Sequence, residues 1–438
     1  MYFLLTKPLA LCLCAAALLT ACSNANVVGT SAGTNAVTRP AVTLAVNQAS
    51  ISAGGSATLT WASTQAAICT ASGGWSGTLD TSGTQTVTPG KTTSYSISCT
   101  GGGNSATADT TVTVALAANA VQRPDYNTGT GFFVLNGKLY DPDGLEFRIR
   151  GVNRNHYDSK SEAGIAKSGA NATRVFVSTQ FGESVQGLVS ILQTQHVLHQ
   201  QLAIPANSGN AAGQTTCVTG KAALTNAVND WVAGAGQWTT LDRYMVVNVA
   251  NEWGPRNSTG WRDQYISAIA KLRAAGYTSP LMIDSGGCGQ DQADLLNYAA
   301  DVFSSDPQKN IIFSFHAYGG IVSAAEATAY FGQLKALQQS AGLVFVVGEF
   351  GPGRNIGPSP TLITPGEIIV AAEGAGLGWL AWAWDDNNLG GCKSNDSWFS
   401  MTYNCGLYTQ TSDLTLYGKD VVLNPTYGLQ ATAQLPNW

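Results

Sequence analysis

The stretch that decides the fold is RYMVVNVANEWGP, residues 243–255. Five of the six residues from Met245 to Ala250 are apolar, the composition of a buried strand, yet the run closes on Asn251 and Glu252. A carboxylate at the tip of a buried strand is costly unless something there needs it. Moving outward, the same kind of run recurs. FRIRGVN (147–153), ATRVFVS (172–178) and HVLHQQLAI (196–204) precede it; PLMIDS (280–285), NIIFSFHAY (310–318), LVFVVGEFG (343–351) and LGWLAWAW (377–384) come after it. Helix-like segments such as TGWRDQYISAIAKLRAAG (259–276) separate them. Eight strands alternating with helices fit a (β/α)8 TIM barrel better than an open doubly wound sheet. No glycine-rich phosphate loop comes after the first run, which weakens a nucleotide-binding reading.

Upstream the pattern changes. Residues 40–115 carry short Thr/Val-rich runs of period two (VTLAVN, SATLTWAS, TSYSISCT, DTTVTVAL) divided by Gly, Pro and Asn. They predict a small all-β sandwich of the immunoglobulin-like kind, most simply a spacer. Trp75 in SGGWSG offers a ring on which a sugar could stack. Residues 23–39 and 116–130 read as linkers, and residues 131–438 as the barrel domain, entered through a hairpin with turns at Asn136-Gly137 and Asp143-Gly144. Residues 1–22 read as a targeting segment. Lys7 precedes a short apolar run, and LTAC (19–22) has the form of a lipobox, with Cys22 as the lipidated residue. That predicts export and a lipid anchor, at the outer membrane or cell surface.

Only 11% of the 438 residues are charged, and the formal net charge is −5. This argues against nucleic-acid binding and supplies no basic patch for anionic membranes. Apart from the leader there are six cysteines, without C-x-x-C spacing, in a chain read as exported. Three disulfides are the economical reading.

In a barrel the reactive groups gather where strands end. Glu252 closes strand four and Glu349 closes strand seven. Two carboxylates about 5 Å apart across one mouth are the spacing of retaining glycoside hydrolysis. NVANEWG, FSFHAYG, VVGEFG and WLAWAW resemble, in order, the strand-end motifs of glycoside hydrolase family 5, the cellulase and mannanase family. The resemblance covers residues 131–430 and implies roles position by position. Glu252 matches the general acid/base and Glu349 the nucleophile. Asn251 matches the residue that binds the sugar 2-hydroxyl, Arg174 the arginine near the nucleophile, and His316 with Tyr318 the strand-six pair. Trp382 matches the tryptophan under the cleaved sugar, with Trp384 as a second choice, and His156 with Tyr157 resembles strand-one sugar contacts of mannanase-like members. Arg174 and a Tyr318 hydroxyl beside Glu349 would favour its ionised form, leaving Glu252 as the protonated partner.

Two departures stand out. The family's histidine near the end of strand three is absent, since His196 and His199 come too early and the tip holds Pro205 and Asn207. The family's Asn-Glu-Pro is Asn-Glu-Trp here. Both changes bear on substrate more than on reaction type. His196 and His199 read as strand or packing residues, because no third zinc ligand accompanies them. Trp253, Trp261, Trp379 and Trp398 are further stacking candidates. Cys69–Cys99 is expected inside the sandwich, with Cys217–Cys288 and Cys392–Cys405 clamping loops around the mouth. The sequence thus predicts a monomeric retaining endo-β-1,4-glycanase acting on a polysaccharide, β-mannan ahead of glucan, without metal or organic cofactor. The rival readings are a glycan-binding barrel without turnover and a family 5 hydrolase acting on another β-glycan such as xylan.

Overall fold

Alternating Thr/Ser and apolar residues pleat the first part of the chain into eight strands. These are β1 (Ala41–Val46), β2 (Ser50–Ser52), β3 (Ala57–Thr64), β4 (Ile68–Gly73), β5 (Gly77–Leu79), β6 (Ser82–Val87), β7 (Thr93–Gly101) and β8 (Asn104–Ala115). They form two sheets, β1-β3-β6 and β2-β8-β7-β4-β5. Alternate residues of both meet in one apolar core that includes Leu59, Trp61, Trp75, Ile97 and Val112. Cys69 and Cys99 face each other across β4 and β7 and form a disulfide. The bridge therefore staples two neighbouring strands of one sheet. Trp75 is buried: its indole donates to the Ser96 carbonyl at 2.8 Å, and its ring meets Trp61 and Tyr95 edge-on. It is core, not a sugar platform. The computed structural model describes residues 39–52, 54–154, 159–177, 185–207, 220–352, 363–385, 399–403 and 406–437. Cys22, His156, Tyr157, Cys217, Cys392, Trp398 and Cys405 lie outside the described residues.

The stretch read as a second linker packs against the start of the barrel domain. The buried Arg123 guanidinium donates to Asn127 and to the Gly131 carbonyl, and lies over the Phe133 ring at 4.3 Å. A hairpin of β9 (Phe133–Leu135) and β10 (Lys138–Tyr140) comes next. The barrel is closed and all parallel: β11 (Arg150–Arg154), β12 (Ala172–Val177), β13 (Leu202–Asn207), β14 (Val247–Asn248), β15 (Leu281–Asp284), β16 (Ile311–His316), β17 (Val344–Glu349) and β18 (Gly378–Ala381). A helix follows each strand, several with strong end signals. Thr364 and Glu367 form a capping box with Pro365 in the first turn, and Gly376 ends that helix at φ +81°.

Alternation along the strands sorts residues by layer. Ala172, Leu202, Ile204, Val246, Met282, Ile312, Val346 and Leu380 face inward and pack with Phe132, Val134, Leu139 and Phe147 from the hairpin segment. The hairpin thus closes the lower end of the barrel with apolar side chains. Two residues further along their strands, the inward positions turn polar: Arg174 after Ala172, Asn248 after Val246, Asp284 after Met282. The outward residues join the helices in a larger core.

Strand three begins later than the sequence suggests. Val185–His199 is a helix and β13 starts at Leu202, so His196 and His199 occupy the helix's last turn. The His196 ring stacks on Tyr244 with centroids 3.4 Å apart. One apolar run, HVLHQQLAI, spans both the helix end and the strand, which is why periodicity merges them.

Candidate active site

The upper polar layer is organised around Arg174. Its guanidinium is fully buried and uses every donor it has. Nε donates to Asn248 Oδ1 at 3.1 Å, Nη1 to Asn153 Oδ1 at 3.0 Å and Glu349 Oε1 at 2.7 Å, and Nη2 to Asn248 Oδ1 at 2.8 Å and Asn251 Oδ1 at 2.5 Å. Asn153 in turn donates to the Gly348 carbonyl at 2.9 Å, tying strand one to strand seven beside the glutamate. Asn248, the polar break in the MVVNVA run, donates to Asp284 Oδ1 at 3.1 Å. Buried polar groups in strands are costly unless fully paired, and these pair with one another.

Glu349 is 5% exposed. Besides Arg174 it accepts from the Tyr318 hydroxyl at 3.0 Å through Oε2, and His316 Nδ1 stands 3.6 Å from that oxygen. Burial pushes the Glu349 carboxyl above the usual range; His316 and Arg174 pull it back, while Glu252 and Asp284 add to the rise. Arg174 and Tyr318 are the partners that the sequence implies; the desolvation that opposes them is visible only in the fold. Glu252 lies four residues beyond the last strand residue of β14, at the partly open rim. Its backbone is left-handed, φ +52°, and its amide donates to Asp284 Oδ2 at 3.0 Å. Its Oε1 is 2.9 Å from His316 Nδ1. For His316, burial lowers the pKa, but Glu349, Asp284 and Glu252 outweigh it and raise the imidazole to about 9. It is therefore cationic at neutral pH.

Glycine shapes this corner. A Cβ on Gly348 would stand 2.1 Å from Ser314 Oγ, and one on Gly289 2.5 Å from His316 Cγ. Only glycine lets both backbones close on strand six; the Gly-Glu pair in VVGEFG is a packing requirement.

Donor atoms of Glu252, His316 and Glu349 all lie within 4.8 Å of one another. That spacing suits a small cation. Arg174 and the protonated His316 already bring positive charge to the carboxylates, however, and disfavour a resident one. The two carboxylates have the separation needed for double displacement at one sugar carbon.

The structure brings together Glu252, Glu349, Arg174, Asn251, His316 and Tyr318. Trp382 is half-buried at the same mouth, edge-on to Phe176 with centroids 5.6 Å apart. Trp384 is not at the site. It is fully buried, with its indole bonded to the Gly406 carbonyl at 2.9 Å and its ring against Tyr408. Trp253, Trp261 and Trp379 are likewise core; Trp253, in place of the family proline, donates to the Gly220 carbonyl and packs on Tyr265. Cys288 is disulfide-bonded. Asn153, Asn248, Asp284 and Phe176 are the additions that sequence reading missed. For the three polar residues the signal was their place at inward parity in apolar strands; for Phe176 there was none.

Comparison with known proteins points the same way. The family description Cellulase (glycosyl hydrolase family 5) matches residues 197–388. A mannan endo-1,4-beta-mannosidase of Streptomyces lividans is 35% identical over 288 residues, 63% of this chain and 71% of its own. One of Salipaludibacillus agaradhaerens is 31% identical over 268 residues, 59% of this chain and 82% of its own. Among solved structures, the mannotriose complex of Thermomonospora fusca beta-mannanase aligns with a TM-score of 0.58 and 27% identity, covering 70% of this chain and 98% of that one.

Proposed function

Because the chain belongs to glycoside hydrolase family 5, we propose that it is a retaining endo-β-1,4-mannanase whose two working carboxylates are Glu252 and Glu349. The observation that carries this is the unequal setting of a close pair. Glu349 is sunk and gripped by Arg174 and Tyr318, while Glu252 stands at the open rim against His316. Like charges this close disfavour double ionisation. Arg174 and Tyr318 offer hydrogen bonds to the anionic form of Glu349, and Glu252 faces the open rim that a departing oxygen would reach. Glu252 then protonates the departing glycosidic oxygen as Glu349 attacks the anomeric carbon, and the bond between them breaks with inversion. In the second half Glu252 removes a proton from water, which displaces Glu349 from the opposite direction and restores the configuration. Arg174 holds Asn251 by Oδ1, which leaves Nδ2 as the amide donor for a sugar hydroxyl. The half-exposed Trp382 offers its face to the sugar ring in the cleaved subsite.

Mannan is favoured over glucan because the relatives named above carry that activity in their names. Reducing-end release from a panel of glucomannan, galactomannan, carboxymethylcellulose, β-glucan and xylan tests the assignment. Mannan-type substrates should be cut fastest, into oligosaccharides; a clear preference for cellulose or xylan would overturn it.

The remaining proposals concern the rest of the chain. LTAC and the apolar run before it support an exported protein anchored by lipid on Cys22, at the outer membrane or cell surface. The Cys69–Cys99 bridge belongs to the same oxidising compartment. Among the described residues no helix is long and apolar enough to cross a membrane. The all-β region is read as an immunoglobulin-like spacer. All three of its aromatic residues, Trp61, Trp75 and Tyr95, are buried, so it presents no ring to a glycan. A Cys22→Ser chain that still partitions with membranes would refute the anchor.

A further inference from the structure

We propose that Asp284, at the end of strand five, is the positioning residue for proton transfer: it holds the Glu252 backbone and the His316 ring in the arrangement that aims the acid at the glycosidic oxygen. The inference rests on the glycosidase reading above. Asp284 is fully buried and is the last residue of β15. Its Oδ2 accepts the Glu252 amide at 3.0 Å and stands 3.5 Å from both His316 Nε2 and Arg174 Nη2, while Oδ1 accepts from Asn248 at 3.1 Å. Its own backbone is fixed from behind, because the Trp261 indole donates to the Asp284 carbonyl at 3.0 Å.

Each contact bears on the acid. Glu252 has the left-handed backbone that non-glycine residues rarely adopt. The hydrogen bond from the Glu252 N–H to Asp284 Oδ2 secures that turn, and the turn directs the Glu252 side chain back over the mouth. His316 is flanked by three carboxyl groups: Glu252 and Glu349 on the Nδ1 side, Asp284 on the Nε2 side. The Tyr318 ring meets it edge-on and Gly289 backs it. With Asp284 behind it, the ring keeps both protons and presents Nδ1–H to Glu252. A group that only filled space would need no charge here, and a fully buried carboxylate is expensive to keep.

Asp284→Asn preserves the shape and the amide acceptor but removes the charge. On mannan, kcat should fall about 30- to 100-fold, at the lower end of what general acid catalysis contributes, with KM changed less than about twofold. The first-turnover release of phenolate from an activated aryl β-mannobioside needs no acid and should change less than about fivefold. The alkaline limb of kcat/KM should move down by about one pH unit, since one of the three carboxylates around His316 is neutralised. Equal losses on both substrates with an unmoved limb would make Asp284 merely structural. If the variant does not fold, ring 15N NMR of the wild-type protein, assigned with His316→Gln, decides the matter. His316 should be doubly protonated at pH 7, and a neutral ring would overturn the proposal. Failure of the wild-type protein to cut mannan would refute the glycosidase reading instead, and the NMR result stands apart from it.

Discussion

Arg174→Lys keeps a positive charge at the centre of the site and tests whether the planar fork is what matters. The five N–H groups of Arg174 make five close hydrogen bonds, to Asn248 (twice), Asn153, Glu349 and Asn251, and a longer sixth contact to Asp284 at 3.5 Å. An ammonium has three donors on one atom and cannot span these acceptors. At least two bonds are lost in a fully buried setting. At about 1–3 kcal/mol for each acceptor left without a partner, the fold should lose about 2–6 kcal/mol. For turnover the critical bonds are those to Glu349 and Asn251. Losing one charge-assisted bond of about 1.5–3 kcal/mol corresponds, at 1.36 kcal/mol per decade, to a roughly 10- to 150-fold drop in kcat/KM; losing both multiplies the effect. The assay is initial-rate hydrolysis of soluble galactomannan beside thermal and urea unfolding of the same preparations. A lysine variant that folds with wild-type stability and keeps kcat/KM within about threefold would refute the reasoning, because it would mean that only net charge is needed.

Two further outcomes depend on particular contacts. The imidazole of His316 is raised to about 9 from an ordinary 6.5. A raised folded-state pKa contributes stability that is full below the unfolded value and lost as pH climbs through the folded one. The unfolding free energy should therefore decline between about pH 6.5 and 9, and His316→Gln should flatten that slope in urea titrations; an undiminished slope would place the titrating group elsewhere. The Cys69–Cys99 bridge closes a sequence separation of 30 residues. Chain entropy for such a loop is worth about 3–4 kcal/mol. Cys69→Ala with Cys99→Ala should lower the stability of the all-β region by that order in calorimetry, and leave mannan hydrolysis unchanged because every proposed catalytic group lies in the barrel.

The barrel and its two glutamates were legible because their signals are local. Each strand is a short apolar run; VVGE ends β17 on its carboxylate, whereas the expectation that Glu252 closes strand four is corrected, since β14 stops at Asn248 and Glu252 sits on the turn beyond it. What escaped depends on partners far away in the chain. Asn153, Asn248 and Asp284 look like interruptions of apolar strands until Arg174, from a fourth strand, is seen to bind or approach all three. Trp382 and Trp384 share strand parity, so alternation does not separate them. The chain leaves β18 at Ala381, and Trp384 packs against Thr402, Gly406 and Tyr408. The start of strand three is hidden because a helix end and a strand start are both apolar there. Trp75 misleads for the opposite reason: glycine and serine neighbours suggest an exposed loop, whereas Trp61 and Tyr95 enclose the ring from distant strands.

The division of labour between Glu252 and Glu349 is tested most directly by azide rescue. Glu252→Ala should be nearly inactive on mannan, yet form the glycosyl-enzyme from an activated aryl β-mannobioside and then stall, since no base activates water. Added azide should restart it and yield the β-glycosyl azide, the product of two inversions at the anomeric carbon. Glu349→Ala should give at most the α-azide, by single displacement. Rescue of Glu252→Ala to the α-azide, with the β-azide arising only from Glu349→Ala, would contradict the assignment and exchange the two roles.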